Sequence, residues 1–488
     1  MRNYYLCLCA TLVLSGFCVN AQELPSFSEL KEQLDESSLP LVNLTVDIST
    51  VNRNDYVTGA MEIVEYDKET GELTSQPFAC KLKYRGATAA TKNKKAFAIK
   101  LINDAGKSLD ANIFGIREFD KWILDAMAVD RIRMRNRVCF DLWNELNKTP
   151  YDTDYGNRNG TEGQFVEVFI NGNYNGIYCF TDKIDRKLLN LKKAKENKDG
   201  TVTVNGILYK GDSWDFGWNL LSYEEANTDT VVWGAYELQY PDDYPSINTW
   251  QPLMDLIDFC SSKTPAEDFH ANYEDWFYVD NLADYLLFTT VLGIGDCCYK
   301  NTFLSTPNIN DGHKWMITPW DLDMSFGGNY DGNYWDNTAN FPRLNARAPY
   351  NRMYAQSYFK DVLKQKWTIL GKDIFSEERV MGKINKYRDM FVQSGAWDRE
   401  YIRWNGDPVP LTQDIDEELE YVSGWYDRNY AALSKQFGVP TAIETIHTDA
   451  DTAASAPSDE YYYDLLGRKT LNPGKGFYIH KGKKIIIR

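Results

Sequence analysis

The chain has 488 residues, 43% hydrophobic and 14% aromatic, which is ample for a real core and excludes wholesale disorder. That length fits two or three domains, or one large domain with a small appendage. A net charge of -17 argues against DNA or RNA as the main partner, because phosphate binding needs a basic face; basic peptides, metal ions and neutral glycans stay open.

Residues 1–21 read as a secretory signal. Arg2 supplies the positive start, an apolar run extends from Leu6 to Val19, and Val19-Asn20-Ala21 sits before a cut at Gln22. The run is too short for a comfortable membrane span, and no later stretch is long and apolar enough. Export to the periplasm, the cell surface or the exterior is therefore expected, with no stable membrane span. Cys7, Cys9 and Cys18 leave with the signal. Cys80, Cys139, Cys179, Cys260, Cys297 and Cys298 remain, an even set that makes no compact framework; most read as buried thiols, with one or two disulfides permitted.

From about 39 to 102 the sequence alternates as strands do: Leu41 to Ile48, Ala60 to Tyr66, Ala79 to Tyr84 and Ala96 to Leu101. Between the last two lies a small-residue loop, Arg85 to Thr91. A helix is expected over 131–148, with Val138, Leu142 and Leu146 on one face. Asn171-Gly172-Asn173, flanked by 164–170 and 176–180, signals a tight hairpin. Residues 247–295 and 355–437 read as mostly helical. The layout is α+β, with a strand-rich part over about 39–185 and a helix-rich part over about 240–437. Residues 441–460 read as a linker and 461–488 as a small β unit, with Lys481-Gly482-Lys483 turning between two short strands.

Two acidic clusters carry the chemistry. The first runs from Gly295 through Asp296 to Asn301, and the second is Pro319-Trp320-Asp321-Leu322-Asp323, closed by Phe326-Gly327. An Asp with an Asn five residues on, then an Asp in a turn closed by Phe-Gly, matches the spacing of a magnesium-phosphate site in protein kinases. Oxygen ligands of this kind suit magnesium. Asp321 and Asp323 would share a face if they lay on a strand. Asn301 adds an amide oxygen, and Asp296 is free to orient or deprotonate a hydroxyl. Helix caps and turns use the same residues, and a calcium site without catalysis would too.

Arg85-Gly86-Ala87-Thr88, followed by Lys92, Lys94, Lys95 and Lys100, would suit phosphates through backbone N–H groups and positive side chains. Lys95 or Lys100 is the candidate for the α- and β-phosphates, with Glu145 as a helix carboxylate to hold it. An ordinary hairpin with lysines on its wet face is the plainer alternative. The histidines, His270, His313, His447 and His480, sit in no nucleophile-elbow or His-Glu-x-x-His pattern, which argues against triad or zinc hydrolysis. Trp and Tyr residues could stack on glycans, but most are expected in the core.

Taken together, the motifs resemble the CotH-type spore-coat protein kinase family. That family has Arg-Gly-x-Ser/Thr followed by Lys-Lys-x-aromatic-x-aliphatic-Lys, here Arg85-Gly86-Ala87-Thr88 and Lys94 to Lys100. Its Trp-x-Leu, Asp and Arg-Asn match Trp122-Ile123-Leu124, Asp130 and Arg135-Asn136. A hairpin then runs into Thr181-Asp182-Lys183, and the two acidic clusters complete the set. The resemblance covers about 40–437, within a region of 22–440. It implies an atypical protein-kinase-like fold using ATP and magnesium to phosphorylate Ser or Thr of a protein substrate. Asp296 matches the catalytic Asp and Asp321 the metal-binding Asp; Asn301 and Asp323 match less closely. Asp182 stands where the family has Glu, and the loop lacks the family's double Ser. The alternative is a non-catalytic surface or secreted protein that binds glycan or protein on the same scaffold. The final segment resembles C-terminal segments of exported proteins from Bacteroides-like bacteria.

Overall fold

The computed structural model describes residues 23–213, 220–223, 228–298, 300–312, 314–338 and 348–439, with 462–464, 469–471, 476–480 and 483–487. The expected signal segment and linker lie outside them. The chain divides into one unit up to Tyr430 and a second from Ala431 onward.

The alternating segments form strands β1 (Leu41–Thr45), β2 (Val57–Asp67), β3 (Glu72–Tyr84), β4 (Phe97–Ile102), β7 (Lys121–Asp125), β8 (Gly163–Ile170) and β9 (Asn173–Thr181). They close into a barrel in the order β1-β2-β3-β4-β7-β9-β8. The closing pair, β1 with β8, is parallel, with Val42 opposite Val168. Closure leaves no open sheet edge. One side-chain set of each strand faces in: Leu82, Ile99, Trp122, Leu124, Val166 and Phe180 belong to a single core. A two-stranded ribbon, β5 (Ala111–Asn112) and β6 (Glu118–Phe119), adds Ile113 and Phe119 to it. The β8–β9 turn is Asn171-Gly172, with φ of 50° and 81°, the pair of positive values a primed turn requires. A short helix, α1 (Phe27–Lys31), is closed by a Ser26–Glu29 capping box and packs Phe27 edge-on to Phe169.

Helix α2 (Arg135–Leu146) starts later than the periodicity suggests. The Asp130 carboxylate accepts from the backbone N–H groups of Ile132, Met134 and Arg135 at 3.1, 2.7 and 2.7 Å. Arg133 sits at φ 57°, so 130–134 is a capped turn and not a first helical turn.

After a ribbon of β10 (Lys195–Glu196) and β11 (Val202–Thr203), a five-stranded sheet runs β13-β14-β12-β15-β16. Its strands are β12 (Ile207–Gly211), β13 (Val232–Trp233), β14 (Tyr236–Tyr240), β15 (Thr302–Thr306) and β16 (Met316–Pro319). β15 and β16 thus interrupt the part expected to be helical. The helices are α3 (Ile247–Cys260), α4 (Ala266–Trp276), α5 (Val279–Val291), α6 (Tyr350–Met353), α7 (Ser357–Leu370), α8 (Glu377–Gln393), α9 (Ala396–Trp404) and α10 (Ile415–Gln436). The architecture is α+β, strand-rich first and helix-rich later.

Helix α9 locks onto the barrel through buried charge. Glu400 accepts from Lys94 Nζ at 2.6 Å and Arg133 Nε at 2.7 Å, while Ile177 N–H donates to its other oxygen at 2.7 Å. Burial pulls Lys94 down to about 7 against the pull of Glu400. Burial alone would raise the Glu400 carboxyl, but Lys94 and Arg133 outweigh it and hold it low. Gly176 lies under this contact at φ 109°, where a Cβ would collide with Glu400 and Trp404.

The second unit includes a four-stranded sheet, β18-β17-β19-β20, formed by β17 (Tyr462–Asp464), β18 (Lys469–Thr470), β19 (Gly476–His480) and β20 (Lys483–Ile487). His480 pairs with Lys483 across the expected turn. Cys80, Cys139, Cys179, Cys260, Cys297 and Cys298 are all free and buried, in line with their reading as buried thiols, and the one or two disulfides that the even count permitted do not form. A core of this size does not need them. Among the described residues no helix is long and apolar enough to cross a membrane.

Candidate active site

The two acidic clusters sit at adjacent ends of one hairpin. β15 and β16 are antiparallel with Thr302 opposite Pro319, so Asn301 and Trp320 lie side by side, and Trp320 N–H donates to Asn301 O at 2.9 Å. Asp296 opens a 3-10 turn, Asp296–Cys298, just past α5. The Tyr285 hydroxyl of α5 steadies that turn by donating to Cys297 O at 3.1 Å.

Asn301 joins the clusters. Its Nδ2 donates to Asp296 Oδ2 at 2.8 Å and lies 3.3 Å from Asp321 Oδ2. Asp296 is 7% exposed. Burial lifts its carboxyl to about 6, with Asp321 adding to the rise; Lys300, at 3.6 Å, and Asn301 oppose it. An acid with this value is ionised at neutral pH yet basic enough to take a proton.

Asp321 and Asp323 follow β16 in a loop, as the turn reading had it, so the shared strand face does not apply, and Asp321 has φ 57°. Asp321 is exposed and Asp323 half-buried. The Asp323 carboxyl is pushed far up, first by burial, then by Asp321, Asp125, Asp296 and Asp130. Such crowding of carboxylates favours a bound cation.

Two participants escaped the sequence reading. Asp125, at the end of β7, accepts from Asn136 Nδ2 at 2.8 Å and from Met127 N–H at 3.1 Å. Asn136 Oδ1 in turn accepts from Leu322 N–H at 3.0 Å. Asn136 therefore ties β7, α2 and the Asp321 loop together. Burial raises the Asp125 carboxyl, opposed by Arg85 and Asn136 and reinforced by Asp321. The Arg-Asn pair was visible as a motif, and Asp125 falls on the outward phase of the β7 alternation; nothing local marked either as facing Asp321.

A shallow, solvent-open cleft lies here. Ile123, Asp125 and Thr181 form its barrel wall, with Asn136 and Phe140 of α2, Arg85, Trp320 and Asp321 around it. The Arg85 guanidinium lies over the Trp320 ring, 5.6 Å from its centre. Of the Arg85–Thr88 loop, Arg85 reaches this lining. Gly86 takes φ 88°, and Thr88 precedes a short 3-10 turn without capping it through its side chain. Lys95 Nζ donates to Ala90 O at 2.8 Å, spanning its own loop. Lys100 points out from β4, next to Lys81 and Lys121 in the strand register. Glu145 serves neither lysine. It pairs with Arg379 and Lys383 of α8, because it faces outward on α2; the buried lysine of the loop is Lys94, and its partner is Glu400. Asp182 is buried between Arg117 and Arg158 at 2.8 and 3.0 Å, a supporting ion-pair cluster.

Among the described residues no group of three or more His, Cys, Asp or Glu side chains is arranged to hold a metal ion by itself. Magnesium beside a triphosphate does not need one, since one or two carboxylates with water and phosphate oxygens suffice. The exposed Asp321, the Asn301 amide and the crowded Asp323 fit that demand.

These features define an α+β protein whose cleft is lined by Asp125, Asp321, Asn136 and an arginine stacked on tryptophan. The family described as CotH kinase protein matches residues 82–433, more than half of the chain, and the chain belongs to that family. No curated protein matches it.

Proposed function

We propose that the protein is an exported, magnesium-dependent atypical kinase on a protein-kinase-like scaffold, which moves the γ-phosphoryl group of ATP to a Ser or Thr hydroxyl of a protein. The observation that carries this reading is the Asn301 amide lying between Asp296 and Asp321. Asp321 and Asn301 would hold magnesium, with Asp323 behind them, and the bound ion would offset phosphate charge. Asp296 accepts the acceptor's proton as its oxygen bonds to the γ-phosphorus and the bond to the ADP oxygen breaks. Arg85 holds phosphate oxygens at the cleft, aided by the N–H groups of the Gly86–Thr88 loop. No nucleophilic side chain is required, because positioning and charge neutralisation supply the catalysis.

Asp321→Ala tests this directly. Because the Asp321 side chain is exposed, the variant should keep its circular dichroism and lose no more stability than the roughly 1–2 kcal/mol an Ala incurs at φ 57°, while losing magnesium-dependent ATP turnover. Unchanged turnover would sink the assignment. Mass spectrometry of the acceptor should show a phosphate and not a nucleotide adduct.

A further inference from the structure

The outer face of β3, β4 and β7 carries concentrated positive charge on a strongly acidic protein. Inward positions such as Leu82, Ile99, Trp122 and Leu124 belong to the barrel core, so the intervening positions point outward. From Ala79 onward those positions on the three strands are Ala79, Lys81 and Lys83, then Ala98, Lys100 and Ile102, then Lys121, Ile123 and Asp125. Asp125, at the cleft, is the one carboxylate among them.

Lys81 lies opposite Lys100, and Lys100 opposite Lys121, so three ammonium-bearing residues stand in one row across three strands. Among the described residues none of the three has an acidic side chain within ion-pair distance, whereas Lys94, Lys187 and Lys210 each do. Like charges directly opposite one another destabilise a sheet, so the row costs stability without a local partner. Lys183, just past β9, adds a further ammonium near the row; it is pushed down by burial first and then by Lys121 and Arg85, while Asp185 and Asp242 pull it up. The next row toward the site is Lys83, Ala98, Ile123 and Thr181, of which Ile123 and Thr181 line the cleft.

We propose that the Lys81–Lys100–Lys121 row docks an acidic stretch of the acceptor polypeptide, presenting a neighbouring hydroxyl to the cleft. The hydroxyl's fate rests on the kinase reading; the docking does not. Strands lie about 4.8 Å apart, so the row spans about 10 Å, the length of three or four residues of extended chain. A net charge of -17 repels nucleic acid elsewhere on the surface and leaves a short acidic segment as the matching occupant.

The test uses the mature protein without ATP or metal. Its probes are two fluorescent peptides of equal length with a central Ser, one flanked by Asp and Glu and one by Asn and Gln. Anisotropy should show the acidic peptide binding more tightly, with affinity falling as salt rises. Lys81→Gln combined with Lys121→Gln should raise its Kd roughly fivefold, the loss of two exposed ion pairs, and leave the neutral peptide unchanged. Lys81→Arg with Lys121→Arg should retain binding. With ATP and magnesium, the Gln pair should raise KM for the acidic peptide and not KM for ATP. Binding that behaves this way without phosphate transfer supports the dock and refutes the kinase reading alone. Equal binding of both peptides, or wild-type binding by the Gln pair, would overturn the dock. So would a sulfated polysaccharide that outcompetes the acidic peptide on the same row.

Discussion

Asp296→Asn gives a test of the site that does not depend on catalysis. The Asp296 carboxyl is lifted from 3.8 to about 6, mainly by burial. Each unit corresponds to about 1.4 kcal/mol, so keeping this group ionised in the folded protein costs about 3 kcal/mol. The sign follows from proton counts. Between the two values the folded state binds more protons than the unfolded state, so stability falls as pH rises through that window. The full cost is present above about 6 and absent below about 4. An Asn at 296 carries no charge and still offers an oxygen to Asn301 Nδ2. The variant should therefore melt a few degrees above wild type at pH 7.5 in EDTA, with the gain vanishing at pH 4. Added magnesium should shrink the gain, because a cation on Asp321 favours the ionised carboxylate nearby. Thermal melts across that pH range measure this. A variant less stable than wild type at pH 7.5, or one with the same gain at both pH values, would refute the reasoning.

Asn136→Ala removes the link between Asp125 and Leu322 N–H and should cut ATP turnover roughly 10- to 100-fold, the usual cost of losing a group that orients ligands. Steady-state kinetics should show the loss chiefly in the magnesium requirement. Glu400→Ala leaves Lys94 and Arg133 buried without their counter-ion and should destabilise the first unit by about 3–5 kcal/mol. Urea unfolding followed by tryptophan fluorescence measures that, and a loss below 1 kcal/mol would contradict the buried-network description.

The barrel strands were readable because alternation is local: Phe97, Ile99 and Leu101 face in by sequence alone. The Asn171-Gly172 hairpin was readable because turn chemistry is local too. Barrel closure was not, since the β1–β8 pair is parallel and joins segments more than a hundred residues apart with no marker in either. The true partner of the loop lysine was hidden for the same reason, as Glu400 lies 306 residues from Lys94. Glu145 had the right residue type on a nearby helix, but its position on the outward face of α2 gave it to Arg379 and Lys383. The late start of α2 reflects the backbone before it: Arg133 turns left-handed, and the Asp130 carboxylate caps the Met134 and Arg135 N–H groups that follow. The convergence of Asp296, Asn301 and Asp321 was legible from spacing, whereas the place of Asp125 and Asn136 beside them became visible only once a hydrogen bond spanning 186 residues brought Leu322 to α2.

Backbone conformation bears on the residue types at two positions of the cluster. Asn301 and Asp321 both adopt φ 57°, a left-handed region that costs most residues 1–2 kcal/mol. Asn and Asp tolerate it best among residues with a Cβ. At Asn301 a second demand applies, because its side chain lies between two carboxylates. Glycine would satisfy the backbone and remove the amide that lies between those carboxylates. Aspartate would satisfy the backbone and add a third negative charge. Leucine or alanine would meet neither demand. Asparagine alone supplies the dihedral and the donor together. Asp321 has a parallel constraint: its backbone must turn left to aim Leu322 N–H at Asn136 while its own carboxylate stays exposed. Strain of this kind persists where surrounding bonds over-determine it. Here they do, through Trp320 N–H on Asn301 O, Asn301 N–H on Gly211 O and Leu322 N–H on Asn136. The hairpin end is thus tied from three sides, the arrangement that the proposed catalysis by positioning would require.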